Sequence, residues 1–102
     1  MEQANDEVYR QAMLAEAARL EKQIPSDHFH VHVTKTVDGN GNTILEFEAG
    51  GVQLSWTDVT VYGTAYAIRE GESEPFEEIT IASIYAADLA GIQAEQARKK
   101  PE

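Results

Sequence analysis

The segment HFHVHVTKTVDGNGNTILEFEA, residues 28–49, decides the fold because it has the pattern of two β-strands joined by a tight loop. Apolar and polar residues alternate before the loop, and the alternation returns after it in TILEFEA. The loop DGNGN, residues 38–42, is rich in residues that tolerate positive φ angles, as a hairpin turn requires. The segment therefore predicts an antiparallel hairpin.

The loop length also predicts the register of this hairpin. If Val37 pairs with Thr43, the remaining pairs follow along the two strands. These pairs are Lys35–Leu45, Thr34–Glu46, Val33–Phe47 and His32–Glu48. Because side chains alternate across a strand, one sheet face should be apolar and the other polar. The predicted apolar face contains Phe29, Val31, Val33, Leu45 and Phe47, and the predicted polar face contains His28, His30, His32, Glu46 and Glu48.

Residues 5–24, before the hairpin, have the composition of a helix. The segment has no glycine or proline and is rich in alanine, leucine, methionine, glutamate, glutamine and arginine. Its apolar residues recur every three or four positions, which predicts one buried stripe. The stripe consists of Tyr9, Met13, Ala17, Leu20 and Ile24. Pro25 closes the predicted helix.

Two further strand-like segments follow the hairpin, VQLSW at 52–56 and VTVYGTAYAI at 59–68. The parity of the apolar residues changes near Thr57 and Asp58, which predicts a bulge or a tight turn there. Gly63, in the middle of the second segment, favours a close approach by another element.

The C-terminal part of the chain begins with a predicted loop, residues 69–75, and then becomes ambiguous. Ile79, Thr80 and Ile81 are β-branched and could begin a strand. The acids before this segment and the bases after it match a helix dipole, however, and the preceding proline suits a first helical turn. We therefore predict a helix from about Phe76 to Lys99, with its first turn or two as the alternative strand.

These elements predict a single domain over residues 1–102 of the α+β class. An antiparallel sheet of three to four strands is flanked by an N-terminal and a C-terminal helix. We expect both helices to cover one sheet face, so that the other face is solvated or bound to a partner.

Composition narrows the class of protein. The 102 residues are 42% hydrophobic and 25% charged, as in folded soluble proteins. No apolar run reaches the roughly 20 residues of a membrane span, and the N-terminus lacks the pattern of a signal peptide, so we expect a cytoplasmic protein without a membrane partner. The chain has no cysteine, which excludes disulfides and thiolate sites.

The charge of the chain indicates the kind of partner. Eighteen acids and 8 bases give a formal net charge of −10, which disfavours direct binding to nucleic acid. The charge is explained either by solubility or by a partner protein with a basic surface. Five glutamates lie within residues 69–78, REGESEPFEE. The predicted partner-binding residues are Glu46, Glu48, Glu70, Glu72, Glu74, Glu77 and Glu78.

The alternating histidines permit a metal site as an alternative. Neighbouring members of the series lie about 7 Å apart on a strand, so two of them can share one ion. The candidate ligands are His30, His32 and Glu48, a combination used by catalytic zinc and non-haem iron sites. The HxH pattern resembles that of cupin barrels but lacks their nearby glutamate, and the chain is too short for eight strands. The simpler interpretation is a solvated strand face, so we predict no metal and no cofactor.

No catalytic motif is present, and the favoured function is therefore not enzymatic. In composition alone, the chain resembles small acidic phage-encoded inhibitors, immunity proteins and assembly chaperones. We expect an interaction protein that occludes a basic surface of a nucleic-acid-handling partner, as a phage anti-defence protein would. One alternative is a small metal-binding protein or metalloenzyme that uses the face of His28, His30 and His32. Another is a homodimeric assembly or chaperone module.

Overall fold

The computed structural model describes residues 2–99, with side chains from residue 6 onward, and within this range the chain forms two helices and five strands. In chain order these are α1 (Glu2–Glu21), β1 (His28–Val37), β2 (Thr43–Ala49), β3 (Val52–Leu54), β4 (Thr60–Ala67), β5 (Glu77–Tyr85) and α2 (Ala86–Lys99). The strands form one antiparallel sheet in the order β3-β2-β1-β5-β4. The α+β class with terminal helices is confirmed, and the sheet has five strands where three to four were predicted.

The β1–β2 hairpin has the predicted register. Val37 pairs with Thr43, and the pairing continues to His32 and Glu48. The loop is closed by Asp38, whose carboxylate accepts the backbone N–H groups of Asn40 and Asn42, both at 2.9 Å. Donation from the Asn42 and Asn40 backbones lowers the pKa of this carboxyl group.

Residues 76–85 are not helical. The predicted helix from about Phe76 to Lys99 was therefore wrong over this segment, and the strand is longer than the one or two turns allowed as the alternative. Residues 77–85 of this segment form β5, which lies between β1 and β4. Ile81 is buried in the core beneath α1, whereas Ala82 and Ile84 are buried in the core beneath α2. A strand that is apolar on both faces has no polar alternation, so its local pattern is easily taken for a buried helix.

The two helices lie on opposite sheet faces, which corrects the expectation that both cover one face. Neighbouring β5 residues point to opposite faces, and they belong to different cores. The α1 core contains Met13, Ala17, Leu20, Ala65, Ala67 and Ile81. The α2 core contains Val31, Phe47, Ala49, Leu54, Ala82, Ile84 and Leu89. Each helix covers only part of its face, so Phe29 and Leu45 share the predicted apolar face but remain exposed.

Helix α1 buries the predicted stripe, although it ends at Glu21 and leaves Ile24 in the following turn. Gly63 allows the helix to approach β4 closely. A Cβ atom at this position would lie 3.3 Å from both terminal carbons of Leu20. The turn expected near Thr57 is a 3₁₀ turn, Trp56–Asp58, and a β-bulge follows between Val61 and Gly63.

The molecule is extended for its size. Its radius of gyration is 16.6 Å, compared with about 13 Å for a compact domain of this length. Its principal extents are 55 × 37 × 21 Å. The end of the β1–β2 hairpin contributes to this shape, since residues 34–46 are exposed except for a half-buried Asp38. Within the described part of the chain, neither helix is long and apolar enough to cross a membrane.

Candidate functional site

The half of the sheet formed by β1, β2 and β3 has one side that neither helix covers. We call this side the acidic face, and it contains His32, Thr34, Glu46, Glu48 and Gln53. Strand pairing places these residues side by side, with His32 opposite Glu48 and Thr34 opposite Glu46. All five are exposed, because α1 packs on β4 and β5 instead. Together with Gln96 of α2 they line an open groove of about 520 Å³.

The two carboxylates of the acidic face are positioned by rigid backbone. Glu46 and Glu48 are alternate residues of β2, so they point in the same direction about 7 Å apart. The backbone N–H of Gly51, in the turn that leads to β3, donates to Glu48 Oε2 at 3.2 Å. Among residues 6–99, no lysine or arginine forms an ion pair with either carboxylate. Their charge is therefore available to a partner.

The acids predicted around the 69–78 loop are mostly engaged within the molecule. Glu77 accepts a hydrogen bond from Arg10 at 2.6 Å, and Glu78 accepts one from Lys35 at 2.7 Å. Glu72 lies 3.5 Å from a guanidinium nitrogen of Arg69. Of the five glutamates in this segment, Glu70 and Glu74 have no basic partner among the described side chains. Three of the five predicted partner-binding glutamates of this segment therefore have an ion-pair partner within the molecule, and their role in binding stays a prediction.

Arg69 ties this loop to α1, an arrangement that sequence reasoning missed. Its guanidinium group donates to both carboxylate oxygens of Asp6, at 2.7 and 3.0 Å. It also lies over the ring of Phe76, 4.2 Å from the ring centre. The hydrogen bonds raise the pKa of Arg69 and lower the pKa of Asp6. Nearby, the backbone N–H of Glu70 donates to the hydroxyl of Tyr9 at 3.1 Å.

Internal pairing uses most of the lysines and arginines of the described residues. Seven lysines and arginines lie between residues 6 and 99, and six of them form ion pairs with carboxylates. The remaining base is Lys22. Acids without such a partner therefore carry the exposed net charge. Two of them lie on the acidic face, and others, such as Asp27, Asp58 and Asp88, lie elsewhere on the surface.

The three histidines have separate surroundings. The Nδ1 atom of His28 lies 2.8 Å from Ser83 Oγ, and His30 Nε2 lies 3.6 Å from a carboxylate oxygen of Glu21. His32 projects from the acidic face opposite Glu48. Across the described residues, no three histidine, aspartate or glutamate side chains have the geometry of a metal site. His30, His32 and Glu48 are therefore not brought together as three ligands.

A buried hydroxyl network contacts one of these histidines, His28. Ser83 of β5 is fully buried, and its Oγ atom lies 2.8 Å from the hydroxyl of Tyr62 and 2.8 Å from His28 Nδ1. The three side chains join β1, β4 and β5, which is a structural role, because a fully buried hydroxyl cannot reach a substrate. The signal in the sequence was a single serine within the apolar run IASI.

Comparisons of the chain with protein-family models, with curated proteins and with solved structures return no match. Paired carboxylates on a strand accept charge-assisted hydrogen bonds from arginine and lysine, and they suit recognition of a basic protein surface.

Proposed function

We propose that this protein is a non-enzymatic, cytoplasmic interaction protein whose acidic face occludes a basic surface of a nucleic-acid-handling partner. A phage-encoded inhibitor such as an anti-defence protein would act in this way. The observation that carries the proposal is the exposure of Glu46 and Glu48 on a sheet face that neither helix covers, with no lysine or arginine among residues 6–99 paired to either carboxylate.

Rigid placement favours the acidic face as the binding surface. The two carboxylates project from a paired strand, and Glu48 is also held by the backbone of Gly51. Less backbone freedom is lost on binding than for acids on a flexible loop, which strengthens association. Arginine side chains of a partner form their strongest hydrogen bonds with such ionised acceptors.

Glu70 and Glu74 have a supporting role in this proposal. Both are exposed on the 68–76 loop, on the side of the molecule where Arg69 anchors the loop to α1. Charges at the rim of an interface act mainly on the rate of encounter. They extend the negative field of the acidic face without requiring direct contact.

The test begins with capture of the partner from a lysate of the organism that encodes the chain. The purified partner is then used in association kinetics at two salt concentrations. The site variant is Glu46→Gln/Glu48→Gln. The matched control is Glu7→Gln/Asp88→Asn, which removes the same two charges from exposed helical positions.

We expect the site variant to associate at least about tenfold more slowly than the control variant, with a weaker dependence on salt. Duplex DNA should also compete with the protein for its partner. Equal rates and equal salt dependence for the two variants would show that only overall charge matters. A partner whose binding is indifferent to DNA would contradict occlusion of a nucleic-acid surface.

A further inference from the structure

Four side chains form a row on the sheet side opposite the acidic face. We call it the LKEY row, and it consists of Leu45, Lys35, Glu78 and Tyr66, on β2, β1, β5 and β4. Leu45 pairs with Lys35, and Glu78 pairs with Tyr66. The centre of the row is closed by a 2.7 Å hydrogen bond from Lys35 Nζ to Glu78 Oε2. The row therefore crosses four strands with an apolar side chain at each end and an ion pair in the middle.

The LKEY row is open to solvent although it lies on the same side as α2. The core beneath α2 lies further along the strands, around Val31, Ala49 and Leu54. At the ends of the row, Leu45 is 48% exposed and Tyr66 is 49% exposed. Two further exposed apolar side chains near the row are Val37 on β1 and Ile68 just beyond the end of β4. Adjacent exposed apolar side chains of this kind mark contact surfaces.

We propose that a second copy of this chain docks on the LKEY row. In reversed order the row is tyrosine, glutamate, lysine and leucine. When the reversed row lies over the original one, each apolar side chain meets an apolar one and each charge meets its opposite. A twofold axis parallel to the strands, in the plane between the two sheets, brings the copies together in this reversed order. Lys35 of each copy then faces Glu78 of the other, and Leu45 faces Tyr66. Such self-complementarity is the requirement for a symmetric dimer.

The surface area of the molecule accommodates this contact. The accessible surface is 7235 Å², whereas a folded monomer of this mass exposes about 5,700 Å². The excess is larger than the roughly 800 Å² that each partner buries in a standard interface.

Charge indicates where two copies can meet. Each copy has a formal net charge of −10, so most surfaces repel one another. Within the LKEY row one base and one acid balance. Glu77 and Glu74 lie at its edge, Glu77 being paired with Arg10, so the row and its surroundings carry less net charge than most of the surface. Docking there also leaves the acidic face free on the other side of the sheet, so this dimer does not depend on the proposed binding of a basic partner.

The first test is sedimentation equilibrium over a concentration series. We expect wild-type protein to dimerise and Tyr66→Glu to weaken the dimer at least about tenfold, since the new charge would be buried without a partner. The control is Val8→Glu, which adds the same charge at a 65% exposed valine of α1 and should leave the dimer unchanged. Circular dichroism verifies that each variant is folded.

The second test uses the symmetry of the row. Lys35→Glu and Glu78→Lys should each prevent dimerisation, because like charges then face each other across the axis. An equimolar mixture of these two variants should form a heterodimer, because acids on one copy face bases on the other. A wild-type chain that remains monomeric at millimolar concentration would overturn the proposal. So would a dimer that is insensitive to Tyr66→Glu, or a mixture in which both variants stay monomeric.

Discussion

Substitution of Gly63 by alanine tests how α1 is held on the sheet. Gly63 lies in β4 directly beneath Leu20 of α1, and its φ angle is +152°. An added Cβ atom would lie 3.3 Å from both Cδ1 and Cδ2 of Leu20, which is closer than ordinary van der Waals contact. The same substitution would place a side chain on a backbone conformation that is essentially restricted to glycine.

Both effects lower the free energy of unfolding. The backbone conformation costs about 1–3 kcal/mol for a residue with a side chain. Crowding against Leu20 adds about 1 kcal/mol, the lower end of the cost of overfilling a packed core. We therefore expect Gly63→Ala to destabilise the protein by about 3 kcal/mol and to lower its melting temperature by roughly 10–20 °C.

Urea denaturation followed by circular dichroism measures this change, and Gly91→Ala is the matched control. Gly91 lies in α2 with no heavy atom within 4 Å of the added Cβ position, so alanine should stabilise the helix by about 0.5–1 kcal/mol. In a Leu20→Ala background, the cost of Gly63→Ala should decrease but not vanish, because the backbone conformation is unchanged. Undiminished stability of Gly63→Ala would refute the close approach of α1 to β4.

Two further predictions concern the polar contacts. Ser83→Ala leaves the Tyr62 hydroxyl and His28 Nδ1 without their buried partner. It should lower the free energy of unfolding, measured by urea denaturation, by about 1–3 kcal/mol. An unchanged free energy of unfolding would show that the network does not join the strands. Hydrogen bonding to Arg69 lowers the pKa of Asp6. The ionised carboxylate therefore contributes its full stabilisation above its ordinary pKa of 3.8. This stabilisation is lost as the pH falls through the lowered pKa. Thermal unfolding between neutral pH and pH 2 should therefore show a smaller acid-induced loss of stability for Asp6→Asn than for wild type, and parallel curves would contradict the ion pair.

The sequence predicted the positions of some candidate functional residues but not the ion-pair partners of others. Glu46 and Glu48 were placed on an exposed polar face by strand alternation alone, and the structure confirms that position. Their role as partner-binding residues remains a prediction. For Glu77, the sequence showed the charge but not the partner, because Arg10 lies 67 positions away on α1, whereas Arg69 is only three positions from Glu72.

The sequence by itself determined the elements that have one apolar and one polar face, namely the hairpin and α1. The hairpin register follows from a short loop and strict alternation, and the buried stripe of α1 follows from the helical repeat. Gly63 marked a close approach because glycine weakens a strand unless its small size is needed.

Only the tertiary structure decided the state of residues 77–85, and with it the arrangement of the helices. Ile81 and Ile84 suit a helix or a strand equally well, and the choice is made by pairing with β1 and β4. Once this strand is central, apolar side chains emerge on both sides of the sheet and each side requires its own helix. Such pairing joins residues more than fifty positions apart, such as Phe29 and Ile84, and short-range periodicity carries no information about it.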